Sequence, residues 1–295
     1  MASFPLSIIG PFGVEEAVMA GGAFYTLVFF LVIPFIWSWQ ESQITAELSC
    51  AFPSAAGGVL WCEVAFGPYA GWLNGILSWV SGATDNAIYP VLFLDYLVRV
   101  LPTSVEDEEK LHPIYRFCLL ASIAILMGYM NWRGLELVGN ASIVVCIVAM
   151  SPFLVLTLLS IPTIDTSRWF AKPTLSAEEY AEINDYQLTG GFFPNASLGG
   201  VLLRPFINSL FWNMNSFDSA GAFSEEVGAH PERIIPKALN ITWFMLLFGY
   251  SIPLFAAIGA ANGTQADWSD GYIGGFICLG SWWIRFLSCH GDLIG

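Results

Sequence analysis

Long stretches without a charged residue organise this chain. No Asp, Glu, Lys or Arg occurs in 17–40, 64–84, 137–164 or 238–266. Each window reaches the roughly 20 residues that an α-helix needs to cross a bilayer. A shorter window, 117–132, lies between Arg116 and Arg133, whose long side chains can snorkel to the interface. The apolar runs are continuous and do not alternate, which excludes a transmembrane β-barrel. The pattern predicts a short segment at 8–19, a complete helix near 24–48 and a Pro/Gly break at 49–62. Helices follow near 68–96, 113–131 and 134–160, then a polar loop over 161–198. A helical region at 201–227, a helix at 236–260 and an apolar element beginning at 271 complete the series. The expectation is an all-α polytopic transmembrane helical bundle with helices only.

Composition strengthens this reading. The 295 residues are 56% hydrophobic and 12% charged, with mean hydropathy +0.63, whereas soluble domains carry about 25% charged residues. A net charge of −14 disfavours nucleic-acid partners, which select a basic footprint. The six cysteines show no CxxC spacing and mostly flank apolar runs, so they read as core or lipid-facing thiols. His112, His230 and His290 lack partners at metal-ligand spacing, and no Walker A or GxSxG sequence occurs. No enzyme, metal or cofactor is indicated. With ten basic residues, the positive-inside rule has little to count. The sequons at Asn195 and Asn262 fall on one predicted side and would place it outside.

Helix interruptions carry the candidate chemistry. At Gly10-Pro11-Phe12-Gly13, glycine and proline disfavour a helix, and Glu15 follows directly. Unwound backbone in a membrane needs protein or a cavity to satisfy it. The alternative is an ordinary turn outside the membrane. The second interruption lies in Asn215–Gly221, where a 13-residue charge-free stretch ends at Asp218. That reads as a half-helix, a polar break and a short second helix, an arrangement that builds midplane sites in transporters. An intramembrane Asp is a functional candidate; the alternative is a re-entrant stretch with Asp218 facing water. A third candidate is Asp85, which continues a small-residue stripe of Gly67, Gly71, Gly75, Ser78 and Gly82. Such a stripe lets another helix approach closely, and Asp85 there takes a cation or proton, or makes a structural hydrogen bond. Pro34 should kink its helix, while Glu41 and Glu47, near that helix's end, read as interfacial caps or salt-bridge partners.

Five stretches together carry a family resemblance: GPFGVEEAV at 10–18, FIWSWQESQITAELSCAFP at 35–53, AFGPYAGWLNGILSWVSGATDNAIYPVLFLDYL at 65–97, FWNMNSFDSAGAFSEEV at 211–227 and PERIIPKAL at 231–239. The chain resembles the amino acid/polyamine/organocation transporter superfamily, and within it the plant and protist branch of polyamine and cationic amino acid permeases. The resemblance implies about twelve helices in an inverted-repeat fold with broken first and sixth helices. On that frame residues 1–295 form an incomplete permease domain that starts within the first helix and ends near the eighth. It implies substrate contacts at Gly10, Phe12, Gly13, Glu15, Asp85, Asn215, Phe217, Asp218 and Gly221, with Asp218, Asp85 and Glu15 as proton-coupling candidates. Phe217 stands where many relatives have Trp, which keeps the ring and loses the indole donor. The expected partners are a polyamine or amino acid, protons and the lipid bilayer, with the plasma membrane as location. Three pocket-side acids favour a polyamine, whose ammonium groups are separated by methylenes, with Phe12, Phe217 and Trp212 as apolar surface between them. An amino acid permease or exchanger, or a membrane scaffold, are the alternatives.

Overall fold

The computed structural model describes residues 13–100, 113–183, 197–227, 230–268 and 272–273. Four helices among them are long and apolar enough to cross a membrane: Glu15–Ala51, Ile114–Trp132, Leu137–Thr163 and Pro231–Ala260. The molecule is a polytopic helical bundle.

The first of these spans is composite. Helix α1 (Glu15–Ile33) is interrupted at Gly22, which has φ 71° and ψ 167°. Only glycine adopts that conformation at little cost, and a side chain there would also press on the Pro173 backbone at 3.0 Å. A short buried segment, 15–21, therefore turns into the long helix that the charge-free window predicts. One turn of π-helix at Pro34–Ser38 joins α1 to α2 (Trp39–Ala51). Proline lacks the N–H that would continue the ladder, and the widened turn re-forms it as a bond from the Trp39 N–H to the Pro34 carbonyl. The same carbonyl accepts from Trp243 Nε1 at 2.8 Å. Trp243 also meets Phe35 and Trp39 edge-on, at 5.1 and 4.9 Å between ring centres.

Helix α3 (Gly58–Phe66) and helix α4 (Pro68–Val100) split the 64–84 window at Gly67. The helix predicted near 68–96 is α4, and the break expected over 49–62 is shorter, because α2 runs to Ala51 and α3 starts at Gly58. The small-residue stripe acts at its near end: a Cβ at Gly71 would sit 2.7 Å from Glu63 Cβ, so α3 folds back onto α4 there. Gly82 has no atom within 4 Å of such a Cβ, so the stripe is not packed along its whole length. Helices α5 (Pro113–Trp132) and α6 (Leu135–Ser160) follow. Phe117 and Ile125 of α5 are both 71% exposed, a surface suited to lipid rather than water.

The polar loop holds two 3₁₀ turns, at Ile161–Thr163 and Thr166–Phe170, and a short helix α7 (Ala177–Ile183). A small antiparallel hairpin pairs Ser197 with Leu202 and Leu198 with Val201, which corrects the expectation of helices alone. Gly199 and Gly200, both at positive φ, make its turn. Helix α8 (Leu203–Met214), a 3₁₀ segment (Phe217–Glu226), helix α9 (Pro231–Ala260) and a 3₁₀ turn at Gln265–Asp267 follow. Helix α9 begins five residues before the predicted start because Pro231 occupies its first turn, where a missing N–H costs nothing. The predicted element from 271 lies outside the described residues except for 272–273. The core gathers where α1, α8, the 3₁₀ segment and α9 meet, around Val14, Phe30, Leu210, Met214, Phe217 and Leu246.

Candidate functional site

The second interruption is shorter than predicted. Helix α8 stops at Met214; Asn215 is extended and Ser216 left-handed at φ 84°. The chain is helical again, as 3₁₀, from Phe217. Two residues therefore break the path, where the sequence suggests seven.

Five side chains hold the ends of this break and the backbone opposite. Gly13, the one residue of the first Gly/Pro stretch within the described chain, offers its carbonyl to Ser209 Oγ at 2.9 Å and to Asn213 Nδ2 at 3.4 Å. Gly13 thus lies against the C-terminal half of α8. On the other side, Ser38 Oγ donates to the Met214 carbonyl at 2.6 Å. Helix ends leave such carbonyls without a partner in their own helix. Trp37 Nε1 donates to Asn215 Oδ1 at 3.4 Å, and its ring meets Phe211 edge-on at 5.2 Å. The N–H of Asp218 donates to Glu41 Oε1 at 3.3 Å.

Among the predicted site residues, Gly13, Glu15, Asn215, Phe217, Asp218 and Gly221 fall in this region, and Gly10 and Phe12 lie outside the described residues. Glu15 is 3% exposed and Phe217 fully buried, whereas Asn215 and Asp218 are exposed. Gly221 packs against the Trp61 ring: a Cβ there would lie 2.5 Å from it. Asp85 lies on α4, partly exposed. The reading of Glu41 as an interfacial cap needs correction, because its carboxylate meets the 3₁₀ segment. Glu47, on the same helix, is exposed.

Trp37, Ser38 and Glu41 are the site residues that sequence reasoning missed. A signal was present. Ser38, Ser42, Thr45 and Ser49 are all buried and recur at spacings of four, three and four, one face of a helix. A polar face in a lipid-compatible helix points into the bundle.

The 3₁₀ segment is fastened from a third direction. Ser54 N–H donates to Ser224 Oγ at 3.1 Å, and Ala55 N–H to Glu225 Oε2 at 3.0 Å. Gly57 and Gly221 meet backbone to backbone: a Cβ on Gly57 would lie 2.9 Å from the Ala222 nitrogen. Elsewhere, a cavity of about 240 Å³ lies beside the C-terminal end of α9, lined by Val18, Arg168, Lys172, Asn262, Gln265 and Trp268 among others. It does not include the break. Arg168 is committed to the α9 terminus, donating to the Ala261 carbonyl at 2.5 Å and to Asn262 Oδ1 at 2.6 Å.

The apolar spanning helices, with polar groups buried between them, define an integral, multi-pass membrane protein. The family model described as "Amino acid permease" matches residues 2–277. The chain is 35% identical over 283 residues to Polyamine transporter RMV1 of Arabidopsis thaliana, covering 94% of this chain and 51% of that protein. It is 34% identical over 283 residues to Polyamine transporter PUT1 of Oryza sativa subsp. japonica, covering 94% and 47% respectively. No solved structure matches it significantly. The chain belongs to the amino acid permease family of the amino acid/polyamine/organocation superfamily, in its plant polyamine transporter branch. It spans about half the length of these relatives. Membership in a permease family argues against an enzyme.

Proposed function

We propose that the protein serves as a secondary active transporter that takes up polyamines with protons across the plasma membrane. The observation that carries this reading is the juxtaposition of Gly13 with the C-terminal half of α8, before the Asn215–Ser216 break. In this reading the two interruptions are the broken first and sixth helices of an inverted-repeat transporter, whose freed backbone groups receive the substrate. The substrate-contact candidates in this reading are Gly10, Phe12, Gly13 and Glu15 from the first interruption, Asn215, Phe217, Asp218 and Gly221 from the second, and Asp85 as a further acid. Asp218, Asp85 and Glu15 are the candidates for carrying the proton. The names of the two plant relatives support a polyamine substrate. A second reading, an amino acid permease or exchanger, is favoured by the family model itself. There the carboxyl of the substrate anchors on the Gly10–Gly13 amides.

One competition assay separates the two. Ornithine and putrescine share a diamine frame and differ by a carboxyl group. In cells expressing the full-length protein, each competes with labelled spermidine at fixed pH. A polyamine carrier loses nothing when the carboxyl is absent, so putrescine competes at least as well as ornithine. A tenfold advantage for ornithine, about 1.4 kcal/mol, selects the amino acid reading.

A further inference from the structure

Glu41 caps a helix to which it does not belong. The first N–H groups of any helical segment lack acceptors within it, and a Ser at the N-cap usually supplies one through its hydroxyl. Ser216 occupies that position in the 3₁₀ segment and makes no side-chain cap bond. Its backbone φ of 84° departs from the extended conformation such capping requires. Instead, the Asp218 N–H reaches Glu41 Oε1, at 3.3 Å. The second carboxylate oxygen of Glu41, Oε2, is buried and has no hydrogen-bond partner among the described residues.

The surroundings make this contact decisive for the break. Ser38, one turn before Glu41 on the same face, holds the last carbonyl of α8. One face of one helix thus grips both ends of the Asn215–Ser216 interruption, the carbonyl end through a hydroxyl and the N–H end through a carboxylate. The hydroxyl does not titrate; the carboxylate does. The charged side chain acting on Glu41 is Asp218, from the 3₁₀ segment itself. From α9, the neighbouring polar group is neutral: Asn240 Oδ1 accepts from Gln43 Nε2 at 2.8 Å. No basic side chain acts on Glu41 among the described residues.

We infer that Glu41 is a positioning residue for the break, holding the Asp218 N–H in trans while ionised and releasing it on protonation. A charge-assisted acceptor is roughly twice as strong as a neutral one, and an anion at a helix N-terminus also gains from the helix dipole. Protonation removes both gains at once. The Ser38 bond to Met214 remains, so the α8 end stays fixed while the start of the 3₁₀ segment loosens. The consequence for transport rests on the reading of the break as the substrate site; the cap itself does not.

The test is amide hydrogen exchange of the full chain in lipid nanodiscs between pH 8 and pH 5. Protection is read on fragments covering 215–219 and corrected for intrinsic exchange. In the parent, protection falls at least fivefold on acidification. In Glu41→Gln, whose amide oxygen still accepts but cannot titrate over this range, protection is independent of pH. In Asp218→Asn, which keeps the backbone donor and Glu41, the parent response persists. The inference is overturned if the parent shows no pH response, if Glu41→Gln responds as the parent does, or if Asp218→Asn abolishes the response. If Glu41→Gln does not assemble, the parent and Asp218→Asn decide the matter. The measurement needs no substrate, so failure of the competition assay leaves its outcome separate.

Discussion

Gly221→Ala distinguishes a packing role from a substrate role at one of the inferred site positions. An added Cβ would sit 2.5 and 2.6 Å from two atoms of the Trp61 benzo ring, with the Gly57 Cα at 3.4 Å. Ordinary carbon contacts lie at about 3.5–4.0 Å, so the methyl would intrude by roughly 1 Å. Neither side retreats easily. Gly57 is at φ 47° and already approaches the Ala222 nitrogen, while Ser54 and Ala55 are hydrogen-bonded to Ser224 and Glu225. Overpacking of this kind costs about 1–3 kcal/mol. In a thermal melt of purified protein, this amounts to on the order of 2–4 °C per kcal/mol. The control is Trp61→Phe, which removes the offending ring edge and sacrifices no hydrogen bond, since Trp61 Nε1 has no partner among the described residues. Placed together, the two substitutions should show a favourable coupling of about 1 kcal/mol or more. The packing argument is refuted if Gly221→Ala leaves the melt unchanged, or if it costs as much with Phe at 61 as with Trp. Loss of uptake with an unchanged melt, unrelieved by Trp61→Phe, would instead mark Gly221 as a substrate contact.

Trp243→Phe should lower stability by about 1 kcal/mol, because it removes the indole donor to the Pro34 carbonyl and keeps most of the aromatic packing; the same melt checks it. The Ser167 side chain, then the Ser167 N–H that donates to Asp165 at 2.9 Å, and Arg168 hold the Asp165 carboxyl below the usual aspartate range. Its folded-state value is depressed, so its contribution to the loop is present above the unfolded value of about 4 and is lost as pH falls through the lower, folded one. Exchange protection of the Ser167 amide should therefore fall on acidification in the parent and show no such step in Asp165→Asn. For orientation, cysteines at Glu178 and Asp267 should react with an impermeant thiol reagent from outside the cell, and one at Arg233 only after permeabilisation; the reverse pattern inverts the topology.

What the sequence could show was set by how far each signal reaches along the chain. Charge-free windows report burial in lipid, and they placed the helices α5, α6 and α9 because each is contiguous. The helix predicted near 68–96 is α4 (Pro68–Val100), whereas α3 (Gly58–Phe66) was missed, because its Gly-rich start reads as part of the break at 49–62. Gly67, at φ 92°, ends α3 and Pro68 starts α4. Pro34 announced a distortion. Its form, a π turn, depended on Trp243, 209 residues away, to take the widened carbonyl. The break at Asn215 was visible as polar residues in an apolar stretch, but its extent was not. The helix resumes at Phe217 because that ring is fully buried among the core side chains around Met214 and Leu210.

Glu41 shows where local reasoning stops. A carboxylate near the end of an apolar helix ordinarily reads as an interfacial residue, because ionised groups are costly inside a membrane. That cost falls when the charge meets unsatisfied N–H groups, and here they belong to a segment 177 residues further along. Neither half of the contact is recognisable alone: Ser216 has the composition of a self-sufficient cap, and Glu41 that of an interfacial acid. The left-handed backbone at Ser216 decides between them by turning the serine away from its own N–H groups. The break is therefore held by a group from a different helix. In such an arrangement, any change in the ionisation of that group acts on the junction of the two half-helices without passing through either of them.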